Sequence, residues 1–145
     1  MAEAARLDHV GLAVADLAWA AAWYCDVFGL VPERTLRVGP LDLDIEMLIH
    51  PVHGYRVELL HRAGSAADRK PATPGDAALR EGYGHMAFDV PDLDAAYDRA
   101  VARGARPVMP PSPSPEARVR MAFVADPEGN LLELLHRPGR AGGAG

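Results

Sequence analysis

The sequence predicts an α+β fold built from one βαβββ unit written twice. Three observations carry this expectation. "LDHVGLAVADL" (7–17) returns as "YGHMAFDVPDL" (83–93), and "VELLHR" (57–62) returns as "LELLHR" (132–137). Between these segments both copies carry Pro- and Gly-rich punctuation, in "VPERTLRVGPLDL" and "PVMPPSPSPEARV". His9 lies 49 residues before Glu58, and His85 lies 48 before Glu133. A drift of one residue over that span marks a tandem repeat rather than chance similarity.

Each unit opens on a strand, "HVGLAV" and then "HMAFDV", followed by Asp16 or Asp92 as a helix N-cap. The helices follow from apolar residues at i, i+3 and i+4: Leu17, Ala20, Ala21, Tyr24 and Phe28, then Leu93, Ala96, Tyr97, Ala100 and Val101. Gly29 and Gly104 suit the left-handed residue that ends a helix. The punctuated stretches that follow should hold connections or a short strand. "LIHPVHGYRVELLHR" (48–62) aligns without a gap on "FVADPEGNLLELLHR" (123–137), and each reads as a β-hairpin. The expected organisation is a first unit over 1–62, a linker over 63–82 with a turn of helix near its end, and a second unit over 83–137. A disordered tail should fill 138–145, beyond one domain spanning 7–137.

Composition bounds the class. A chain of 145 residues buries roughly two thirds of its unfolded surface, enough for one compact domain or two very small ones. A net charge of −5 without a basic run argues against nucleic acid. No stretch approaches the ~18 apolar residues of a membrane span, and the first residues have no signal-peptide character. The single Cys25 cannot form an internal disulfide, which points to a cytoplasmic protein.

Strand alternation sorts the side chains. Val10, Leu12 and Val14, like Met86, Phe88 and Val90, should face their own helix, leaving His9 and His85 on the other face. Val57 and Leu59, like Leu132 and Leu134, belong to the helix side, so Glu58 and Glu133 share a face with the histidines. A lone strand histidine is usually a satisfied core or edge residue, and a lone glutamate among aliphatics usually a solvated one. Here both types recur at repeat-related positions on one face. A carboxylate among Val and Leu needs a partner, which can be an arginine, a protonated neighbour or a cation. Two imidazoles with two carboxylates suit a borderline divalent ion.

With these segments, "LDHVGLAV", "GYGHMAFDV" and "FVADPEGNLLELLHR", the chain resembles the vicinal oxygen chelate superfamily, the glyoxalase/bleomycin resistance protein/dioxygenase family, over about 7–137. The resemblance implies two modules curling into a cup-shaped mixed sheet, with His9, Glu58, His85 and Glu133 as ligands of one divalent metal per site. Dioxygenases and fosfomycin-resistance proteins of the family carry two histidines and one glutamate, and bleomycin-binding members lack the ligands. Methylmalonyl-CoA epimerases usually carry glutamine at the Glu58 position. The set here is most similar to glyoxalase I, which favours Ni, Co or Zn, with Mn or Fe as further candidates.

The implied function is a metal-dependent lyase or isomerase that moves a proton beside a carbonyl through a metal-stabilised enediolate, with Glu133 and Glu58 doubling as bases. An epimerase acting on a coenzyme-A thioester is the alternative, and a non-catalytic antibiotic- or toxin-binding protein is the alternative of another class. The expected partners are a small carbonyl or thioester substrate and a second copy of the chain, with sites shared across the homodimer.

Glu46 in "LDIEMLI" is a further acid–base candidate, although its repeat partner in the ungapped alignment is Met121. His61 and His136 should lie on the outer face at strand ends. His50 and His53 flank a turn. Arg56, Arg118 and Arg120 are solvated or meet an anionic substrate. "PPSPSPEAR" is expected to be a loop, and Cys25 a packing residue.

Overall fold

The computed structural model describes residues 4–139. It divides into two compact units, Met1–Ala67 and Asp68–Gly145. The α+β arrangement is the one observed, with one four-stranded mixed sheet in each unit.

In the first unit β1 (His9–Ala13) leads into α1 (Leu17–Phe28), then β2 (Val31–Val38), a single 3-10 turn, β3 (Leu43–Ile49) and β4 (Arg56–Arg62). The Asp16 carboxylate accepts from the Trp19 N–H to cap α1, and Gly29 ends it at φ +70°. The sheet order is β1-β4-β3-β2, with β1 parallel to β4 and the other pairs antiparallel. α1 lies on the face that carries Leu48, Val57 and Leu59, all fully buried. Val10, expected on that face, is 39% exposed. β1 is an edge strand with a neighbour on one side only, and burial is complete only at Val14.

The second unit repeats the plan. A single-turn helix α2 (Pro74–Ala77) precedes β5 (Met86–Asp89), α3 (Leu93–Ala102), β6 (Arg106–Pro113), β7 (Arg120–Ala125) and β8 (Leu131–His136). Asp92 caps α3 through the Ala95 N–H. The order β5-β8-β7-β6 matches the first sheet, and Leu132, Leu134, Val124 and Ala122 bury completely beneath α3.

Three sequence expectations change. The punctuated stretches are largely taken up by β2 and β6, eight residues each, longer than the connections or short strand expected. Their prolines are tolerated because β2 and β6 are edge strands, where a missing N–H breaks no ladder. The first four residues of "PPSPSPEAR" therefore belong to β6, which ends at Pro113, and the expected loop covers 114–119. Second, the repeat alignment has a gap. Ile49 pairs with Arg56 across six turn residues, whereas Ala125 pairs with Leu131 across five. That extra residue in the first hairpin accounts for the spacing of 49 against 48. It also moves the structural partner of Glu46 from Met121 to Ala122, since Glu46 pairs with Leu59 and Ala122 with its counterpart Leu134.

Third, the chain from Asp68 onward packs on the second unit. Lys70 Nζ donates to Asn130 Oδ1 at 2.7 Å, and Ala77 joins Ala125 and Leu131 in an apolar cluster. Of the expected tail, Pro138 and Gly139 form a turn, and 140–145 lie outside the described residues.

Candidate metal centre

Ladder register builds the site. Gly11 is the direct partner of Glu58, and Met47 flanks Glu58 on the other side, so all three share the face away from α1. His9 joins that face two residues earlier, with its Nε2 3.6 Å from Glu58 Oε2. The second unit reproduces this. Ala87 and Phe123 flank Glu133, and His85 Nε2 meets Glu133 Oε2 at 3.1 Å. The ring of His85 stands edge-on to Phe123, with centroids 5.2 Å apart. The imidazoles are 35% and 36% exposed and the carboxylates 19% and 18%, so the two pairs match in solvation as well as in position.

Those carboxylates need compensation, and among the described residues the ion-pair partner of each is its histidine, not an arginine. A protonated imidazole or a shared cation remains. The donor chemistry, one imidazole nitrogen and one carboxylate oxygen from each unit, fits a divalent cation of borderline hardness. Each unit alone supplies two donors, and the described residues hold no group of three or more potential ligands.

Around His9 lies a charged network that the sequence did not reveal. His9 Nδ1 bonds Asp8 Oδ2 at 2.7 Å, and Arg56 Nη1 lies 3.8 Å from Asp8 Oδ1. Arg56 makes a two-pronged pair with Glu33, Nε to Oε2 at 2.7 Å and Nη2 to Oε1 at 2.8 Å. The bond to Asp8 is the main cause raising His9 above its ordinary 6.5, and the same bond holds the Asp8 carboxyl below its ordinary 3.8. Hydrogen bonding to Arg56 likewise lowers Glu33. Arg56 is thus tied to protein carboxylates. Its partner is 23 residues away at a β-bulge between Pro32 and Arg34, which alternation cannot anticipate.

Glu46 is not brought to this face. Its neighbour across the ladder is Leu59, on the helix side, and its Oε2 accepts from Thr35 Oγ1 at 2.8 Å. Strand alternation places it opposite Glu58, and its charge is felt by Cys25 of α1. Burial, and then Glu46, raise the Cys25 thiol, which disfavours a nucleophilic role.

The other histidines have structural work. His61 Nδ1 meets the Val14 carbonyl at 3.0 Å, and His136 Nδ1 meets Val90 at 2.9 Å. Each "ELLHR" strand therefore directs its glutamate to the open face and its histidine to the joint between first strand and helix. His50 Nδ1 accepts from the Val52 and His53 N–H groups, which braces the hairpin turn. Arg120 reaches Asp94 of α3 at 2.8 Å, on the helix side.

Comparison with known proteins agrees with this architecture. The profile of the Glyoxalase/Bleomycin resistance protein/Dioxygenase superfamily matches residues 6–134. A Synechocystis protein named "Probable lactoylglutathione lyase" is 28% identical over 131 residues, covering 89% of this chain and 93% of its own. An ethylmalonyl-CoA/methylmalonyl-CoA epimerase from Cereibacter sphaeroides is 29% identical over 138 residues, covering 89% and 96%. A glyoxalase family protein from Bacillus cereus superposes with a TM-score of 0.77 at 24% identity, over 93% of this chain and 95% of that one. With the family profile spanning both βαβββ units, the chain belongs to the glyoxalase/bleomycin resistance protein/dioxygenase superfamily.

Proposed function

We propose that this chain is a divalent-metal-dependent lyase or isomerase of the glyoxalase I type, moving a proton at a carbon beside a carbonyl through an enediolate. The observation that carries this reading is the doubled His–Glu pair, His9 with Glu58 at 3.6 Å and His85 with Glu133 at 3.1 Å, each on the face away from its helix. His9 and His85 offer Nε2, and the glutamates offer Oε2. When bound, a divalent cation, with Ni, Co or Zn suited to this set, supplies a Lewis acid for the oxyanion that develops at the carbonyl. Glu58 and Glu133 are the bases that take and return the proton, a role worth typically 10²- to 10⁴-fold.

Four donors require two units, and we assign that pairing to a homodimer in which His9 and Glu58 of one chain meet His85 and Glu133 of another. The substrate is a small carbonyl compound or thioester, encountered in the cytoplasm. No helix among the described residues is long and apolar enough to cross a membrane.

Elemental analysis of the purified protein, alongside its mass in solution, tests this. About one Ni, Co or Zn per chain, depleted in Glu58→Gln, supports it. No bound metal after each ion is added back refutes it and leaves a metal-free binding protein. A second reading, an acyl-CoA epimerase, is favoured by the 29% identity to a relative of that name. Solvent deuterium entering methylmalonyl-CoA rather than a glutathione hemithioacetal would select it.

A further inference from the structure

We propose that Asp8 is the positioning residue for His9, that Arg56 and Glu33 hold it, and that among the described residues only the first unit has this device. The inference rests on the metal reading above. An ionised carboxylate can only accept, so the 2.7 Å contact between Asp8 Oδ2 and His9 Nδ1 places the ring proton on Nδ1. In the neutral ring Nε2 then turns a lone pair toward Glu58 Oε2, 3.6 Å away and beyond hydrogen-bond reach. Two acceptors face each other across a gap that suits a cation.

His85 is arranged the other way. Its Nε2 lies 3.1 Å from Glu133 Oε2, a hydrogen bond, so the neutral ring carries its proton on Nε2. It must give up that proton to become a ligand, whereas His9 need not.

The cause lies in three repeat-related substitutions. Gly84 stands where the first unit has Asp8. Leu131, the partner of Ala125, stands where Arg56 pairs with Ile49. Val108, at the bulge between Pro107 and Met109, stands where Glu33 bulges between Pro32 and Arg34. In the second unit this corner is apolar, with Ala77 packed on Ala125 and Leu131 and Val108 against them. In the first it is a charged chain from Glu33 through Arg56 and Asp8 to His9. A carboxylate on the far nitrogen fixes tautomer and ring orientation and raises ligand basicity, and its loss typically costs 10- to 100-fold in metal affinity.

Long-range ¹H–¹⁵N spectra of the metal-free, ¹⁵N-histidine-labelled protein at pH 8 read the tautomers directly, and Ni(II) titration reads affinity. The expected result is Nδ1–H for His9 and Nε2–H for His85. In Asp8→Ala, His9 should shift toward Nε2–H and Ni(II) affinity should fall by about 10- to 100-fold. Asp8→Asn, whose amide oxygen still accepts from Nδ1, should retain most of both. An unchanged His9 tautomer in Asp8→Ala, or unchanged Ni(II) affinity in a chain whose wild type binds the ion, overturns the proposal. If the wild type takes up no Ni(II), or any other divalent ion, the metal reading fails, and the spectra still judge whether Asp8 sets the ring.

Discussion

Gly11, not His9, is the ladder partner of Glu58, and a Cβ built on Gly11 would lie 3.4 Å from Glu58 Oε1. The carboxylate therefore rests against bare backbone in the first unit. In the second it rests beside Ala87, so a methyl group is compatible with the arrangement. Gly11→Ala should keep both fold and metal content. Gly11→Val adds two methyl groups where Leu60 Cδ1 is also 3.4 Å away, and should displace Glu58. Its Ni(II) affinity should drop at least tenfold while circular dichroism stays native. Unchanged affinity would show that the Glu58 position is not needed.

Glu133→Gln should weaken metal binding as strongly as Glu58→Gln, because the two carboxylates are equivalent in register and exposure. Neither substitution should shift the melting temperature of the metal-free protein by more than a few degrees, since each only neutralises a partly solvated carboxylate. A loss confined to one of the two variants would argue against a site shared equally by the units.

Glu46→Gln should leave proton transfer unchanged, since Glu46 sits beside Leu59 on the helix side. The same variant should lower the Cys25 pKa modestly, because the Glu46 charge contributes to raising it, after burial. Thiol alkylation against pH reads the second effect and substrate turnover the first. A collapse of turnover would return Glu46 to the chemistry.

The Asp8–His9 pair makes the stability of the metal-free protein pH-dependent. His9 is raised above 6.5 in the folded chain, so its contribution is complete below 6.5 and disappears as pH rises through the folded value. Asp8 is lowered below 3.8, so its contribution is complete above 3.8 and disappears as pH falls through the folded value. The denaturation midpoints of wild type and Asp8→Ala should therefore differ most between those limits, and the difference should shrink on either side. Parallel curves would show that the pair is absent in solution.

His136→Ala removes a partly buried bond to the Val90 carbonyl, and should cost about 1–3 kcal/mol by leaving that acceptor without its side-chain partner. Denaturant titration measures the loss. The metal-to-protein ratio should not change, because His136 pairs with Arg120 on the helix side and Glu133 does not.

Much of the molecule was legible because its signals are local. Capping aspartates, the 3.6-residue apolar period and the left-handed glycine each act within one turn of chain, and α1 and α3 follow from them. Alternation along "VELLHR" and "LELLHR" placed both glutamates opposite the helices, because the side-chain period of a strand is a property of the backbone. Repetition added what no single copy could, a reason to read His9, Glu58, His85 and Glu133 together.

What depended on which strands become neighbours was not legible. The length of β2 and β6, the extra turn residue that re-pairs Glu46 with the position of Ala122, and the bulge carrying Glu33 to Arg56 are all set by inter-strand register. Register is a balance of turn geometry and cross-strand packing between residues far apart in the chain. By itself, then, the sequence determined a doubled βαβββ plan and singled out the four residues proposed as metal donors. Tertiary structure alone decided that Arg56 and Glu33 back the Asp8–His9 pair while His85 meets Glu133, because Arg56–Glu33 and His85–Glu133 join residues far apart in the chain and form only once the ladders have closed.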